Sequence, residues 1–65
     1  MDKKILEILH AKLTQQAADI SESLAAGAAQ DYADYQRLCG VVTGLLTARR
    51  EIQDLAQNLK DKDED

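Results

Sequence analysis

The chain has 65 residues, a net charge of −4, one cysteine, one histidine, and no proline, tryptophan or phenylalanine. An internal disulfide is excluded, a Cys/His zinc cluster within one chain is not expected, and there is room for only one small domain. An acidic chain without clustered lysine or arginine is also a poor nucleic-acid binder, because neutralising phosphates requires such clusters.

A chain this short ordinarily needs a staple, a metal or oligomerisation to complete its core. With the first two disfavoured, oligomerisation is what remains. Alanine, leucine, glutamine and charged residues dominate, a composition that favours helix. No long apolar core follows Lys3 and Lys4, so the start does not read as a signal peptide.

The first helix is expected over residues 2–26. Asp2 suits the N-cap, and Lys3 can pair with Glu7 one turn on. Leu6, Leu9, Leu13, Ala17, Ile20 and Leu24 recur at spacings of 3-4-4-3-4, one amphipathic stripe, with Ile5 and Ile8 lying off it. Glu7-Ile8-Leu9-His10 has the Glu-x-x-His spacing of carboxylate-bridged metal helices. Such a site needs carboxylates from facing helices, and Glu51 is the lone glutamate of the second helix. His10 is therefore read as a surface or half-buried side chain. No metal, cofactor or catalytic residue is assigned.

Gly27 is placed where a helix C-terminus commonly stops, and residues 27–30 form the turn. Asp31 caps a second helix expected over 31–60, and a charged tail follows at 61–65. A short link between two long helices implies an all-α antiparallel hairpin, a single domain over residues 1–60. At about 1.5 Å per residue the arms are roughly 37 and 43 Å long, so the second overhangs the first. Tyr32 and Tyr35, near the turn, are expected to plug its closed end, with interface use as the alternative. Asp34 with Arg37 and Arg50 with Asp54 are spaced for helix ion pairs.

Leu38, Val41, Leu45, Ala48, Ile52, Leu55 and Leu59 follow a 3-4-3-4-3-4 spacing that suits a coiled-coil-like seam. A second stripe runs beside it through Tyr35, Val42, Arg49 and Ala56. From Leu38 to Ala48 the helix carries no charge and is apolar or small nearly all round, a surface too wide for one partner helix. Gly40 and Gly44 share a face within it, which suggests either close backbone approach by a neighbour or a kink. This run of 11 residues is too short to span a membrane, which takes about 20. Arg49 either snorkels out of the seam or pairs with an acid on a neighbouring chain. Cys39, on the apolar face, is read as a buried and inert thiol.

Leu24 and Gly27, then Asp31-Tyr32, Tyr35, Leu38, Gly40, Gly44 and Leu45, make the middle third of the chain resemble small helical-hairpin proteins encoded by tailed bacteriophages. Many of those have no assigned role. The resemblance implies a phage origin and a hairpin fold, and it carries no catalytic residues.

The expected function is non-enzymatic: a homo-oligomeric helical bundle acting in assembly or structure. The alternative is a small phage inhibitor that binds and blocks a host protein. The expected interface comprises Leu38, Gly40, Val41, Gly44, Leu45, Ala48, Ile52, Leu55 and Leu59, with Tyr32, Tyr35 and Arg49 as further candidates. Expected partners are further copies of the chain, a phage structural protein or a host protein, with neither nucleic acid nor membrane. The expected location is the host cytoplasm or an assembled particle.

Overall fold

A computed structural model describes the backbone of residues 3–63 and the side chains of residues 3–59. It contains two helices, α1 (Lys3–Ala25) and α2 (Tyr32–Asp63). They lie antiparallel: Thr14 is level with Arg49, and Lys3, Glu7 and His10 are level with Gln53 and Ala56. The molecule is a rod with extents of 52 × 15 × 14 Å. The expected N-cap, Asp2, lies outside the described residues. The stretch expected to leave the helix at residue 61 stays helical through Asp63.

Local chemistry explains where the helices stop and start. Gly27 has φ +87°, a left-handed conformation that costs an L side chain roughly 1–2 kcal/mol and glycine almost nothing. The Ala28 amide donates to the Ser23 carbonyl (2.9 Å) and the Gly27 amide to the Leu24 carbonyl (3.1 Å). This is a Schellman arrangement, which satisfies two carbonyls that the end of α1 would otherwise leave open. At the start of α2 the Asp34 amide donates to Asp31 Oδ1 at 2.8 Å, so Asp31 is the N-cap. Asp34 reaches back to accept from the Gln30 amide (3.1 Å) and forward to Arg37 (2.7 Å). The Arg37 guanidinium first, and the Gln30 amide second, hold the Asp34 carboxyl below its usual range. Arg50 and Asp54 form no such pair.

Asp31→Ala should therefore destabilise the closed end by about 1 kcal/mol, a fall in Tm of roughly 4–8 °C. Thermal melting followed by circular dichroism measures this. An unchanged melt would show that the cap contributes nothing.

The seam departs from the expected one on both helices. On α1 it runs through Leu6, His10, Leu13, Ala17, Ile20 and Leu24. Leu9, expected in the stripe, is 41% exposed, and half-buried His10 takes its place. The spacing 4-3-4-3-4 keeps one line of residues facing a partner, whereas Leu9 drifts to the flank. On α2 the seam runs through half-buried Leu38, Val42, Leu45, Arg49, Ile52, Ala56 and Leu59, with Asp34 and Cys39 half-buried beside it. Val41, Ala48 and Leu55, expected between them, stay exposed, and the second stripe supplies those positions instead.

Arg49 accounts for part of this choice. Its guanidinium donates to Thr14 Oγ1 across the seam (3.3 Å), and Thr14 donates to the His10 carbonyl (2.8 Å). The side chain thus lies half-buried in the seam with its head on a neutral hydroxyl, its apolar stem covering the surface beneath.

Candidate interaction surface

Among the described residues the hairpin has two buried hydrophobic side chains, Leu6 and Ala17, at 3% and 4% exposure. Eight large hydrophobic side chains are exposed: Ile5, Ile8, Leu9, Tyr32, Tyr35, Val41, Leu46 and Leu55. The chain exposes 4939 Å² in all. A compact monomer of its mass, 7.2 kDa, would expose about 4,100 Å². The excess, about 800 Å², goes with the elongated shape of 52 × 15 × 14 Å, which leaves both flanks of the seam open to water.

Helical spacing places the apolar and small residues of α2 that lie off the seam on two faces, one on each side of it. Val41, Gly44, Ala48 and Leu55 recur at 3-4-7 on one side, and Tyr32, Tyr35, Cys39 and Leu46 recur at 3-4-7 on the other.

The faces can be matched across the two helices by an open groove of about 200 Å³ lined by Lys3, Leu6, Glu7, His10, Ile52, Gln53 and Ala56. Gln53 lies two turns beyond Leu46, so the groove is on the tyrosine side. On α1, Ile5 and Leu9 fall on the opposite side of the Leu6–Leu13 line from Lys3 and His10. Ile5, Leu9 and Leu55 therefore share the face that carries Val41, Gly44 and Ala48.

Of the expected interface residues, Leu38, Leu45, Ile52 and Leu59 are half-buried in the hairpin's own seam. Gly40, Val41, Gly44, Ala48 and Leu55 are exposed on its flank. A Cβ added at Gly40 or at Gly44 would meet nothing within 4 Å. Close approach by α1 is thus not what either glycine serves, and α2 runs unbroken through both.

The tyrosines do not plug the turn. Tyr32 is 73% and Tyr35 46% exposed, their ring centroids 6.4 Å apart and the planes inclined by 30°. The reason is the length of α1: with Thr14 level with Arg49, Ala25 is level with Leu38, and α1 ends before it reaches either ring. Tyr32 Oη accepts from Gln36 Nε2, one turn on. Tyr35 lies beside half-buried Cys39, whose sulfur raises the phenol's pKa above its usual value.

The groove does bring Glu7 and His10 together, and among the described residues α2 lines it with Ile52, Gln53 and Ala56. Among the described residues no group of three or more His, Cys, Asp or Glu side chains is placed to hold a metal ion. No described helix is long and apolar enough to cross a membrane. Compared with protein-family models, curated proteins and solved structures, the chain matches none of them.

Proposed function

We propose that this chain is a non-enzymatic assembly protein, a helical hairpin that works by packing against further copies of itself. The observation that carries this is the imbalance of its apolar surface: among the described residues, two buried hydrophobic side chains against eight large exposed ones. A hairpin alone covers one side of each helix, and the remainder is stabilised when another helical surface removes it from water. The phage-type setting rests on the resemblance at Leu24, Gly27, Asp31-Tyr32, Tyr35, Leu38, Gly40, Gly44 and Leu45. It would place the protein in the host cytoplasm or an assembled particle.

One observation favours a second reading, a small inhibitor of a host protein. The stacked pair Tyr32 and Tyr35 lies on the face away from Val41 and Leu55 and would stay open after assembly through that flank. Tyrosine is among the residues that anchor protein interfaces.

Light scattering after size exclusion, over a dilution series, separates the two. Self-assembly predicts a dimer or larger species that dissociates on dilution. A folded monomer at every concentration would overturn it and put the inhibitor first.

A further inference from the structure

The exposed flank of α2 has a pattern that is self-complementary about Gly44. Seven residues before Gly44 is Arg37 and seven after it is Glu51. Four before is Gly40 and four after is Ala48; eleven before is Ala33 and eleven after is Leu55. All lie on one helix face, since offsets of four, seven and eleven return close to the starting direction. Arg37 and Glu51 are the charged residues of this stripe between Ala33 and Leu55.

We propose that two hairpins pair through this flank, antiparallel, about a twofold axis at Gly44. This rests on the self-assembly reading and specifies its geometry. An isologous contact about a perpendicular axis brings residue 44 − k of one copy opposite residue 44 + k of the other. Arg37 then faces Glu51 of the second copy, and Glu51 faces its Arg37. Small Ala33 receives Leu55, Gly40 meets Ala48, and the two Gly44 backbones meet on the axis. A parallel pairing would instead set Arg37 against Arg37 and Glu51 against Glu51, which like-charge repulsion disfavours.

Three further features fit. Arg37 already bonds Asp34 through one terminal nitrogen, and a guanidinium carries five N–H donors, so it can reach a second carboxylate as well. Gly44 is close to midway between Gln30 at the turn and Leu59, so an axis there overlaps the hairpins along nearly their whole length. The same rotation carries Ile5, Leu9 and Leu55 of one copy to the alanine-rich closed end of the other, around Ala26, Ala28 and Ala33.

The test has two arms on the full chain. In the first, Arg37→Glu and Glu51→Arg are made singly and together, and the dissociation constant is measured by sedimentation equilibrium. Each single reversal places like charges at both symmetric positions and should weaken the dimer about tenfold. The double reversal should restore it to near the original value. Dimers insensitive to all three changes would overturn the proposal and leave self-assembly standing.

In the second arm, Cys39→Ser is the background and single cysteines are introduced by Ala33→Cys, Gly44→Cys or Leu55→Cys under mild oxidation. Antiparallel pairing gives self-crosslinking for the Gly44→Cys variant alone, and crosslinking of the Ala33→Cys and Leu55→Cys variants only when mixed. Self-crosslinking at all three positions would establish the parallel arrangement and overturn the proposal. A chain that stays monomeric at every concentration would remove the self-assembly reading together with this one.

Discussion

Leu6→Ala is expected to cost about 2–5 kcal/mol, the usual range for truncating a buried leucine to alanine. Leu6 is 3% exposed, the most buried side chain among the described residues, and it lines the open groove together with Ile52 and Ala56 of α2. A 65-residue domain has about 3–10 kcal/mol of stability in total. The substitution would therefore remove much of what holds the two arms together, and the variant should be largely unfolded well below the melting point of the original. Ile8→Ala is the control: Ile8 is 51% exposed, and its loss should change stability by much less. Urea unfolding followed by circular dichroism compares the two. Equal losses at both positions would mean that the seam does not run through Leu6.

Gly44→Leu should move two properties in opposite directions. A side chain there meets open space within the hairpin, and glycine is about 1 kcal/mol less favourable than a good helix former inside a helix. The isolated hairpin should gain most of that amount, visible as greater helicity and a Tm several degrees higher at concentrations where the chain is monomeric. In the assembled state two leucines would meet where the backbones approach. Overpacking of about 1–3 kcal/mol raises the dissociation constant by roughly fivefold to 150-fold. Light scattering and thermal melts on one preparation read both effects. Association as tight as that of the original chain would rule out a contact at Gly44. A fall in the monomer's Tm would show that the helix there needs glycine for a reason internal to the hairpin.

The parts of the fold legible in the sequence are those fixed within a few residues. Gly27 ends α1 because a positive φ is cheap for glycine, and Asp31 starts α2 because its carboxylate lies within reach of the Asp34 amide. The Asp34–Arg37 pair forms because residues three apart are neighbours on a helix. Apolar periodicity over two long segments joined by a short link was sufficient for the antiparallel hairpin.

The seam was legible only in part. Leu38, Leu45, Ile52 and Leu59 belong equally to a frame completed by Val41, Ala48 and Leu55 and to one completed by Val42, Arg49 and Ala56. The first contains no charge and looks the better seam. The second is the one that faces α1, where Thr14 offers a hydroxyl to the Arg49 guanidinium. The same rotation left Leu9 on the flank and brought His10 in, and the early end of α1 left Tyr32 and Tyr35 uncovered.

By itself, then, the sequence determined the two helices, the turn with the helix ends that flank it, and the existence of more apolar surface than one hairpin can bury. Each follows from local hydrogen bonding, backbone preference and the helical period. Only the tertiary structure decided which of two overlapping apolar stripes closes the hairpin and which is left facing outward. That choice depends on what lies opposite on the other helix, as Thr14 lies opposite Arg49, and a periodicity shared by both frames cannot encode it.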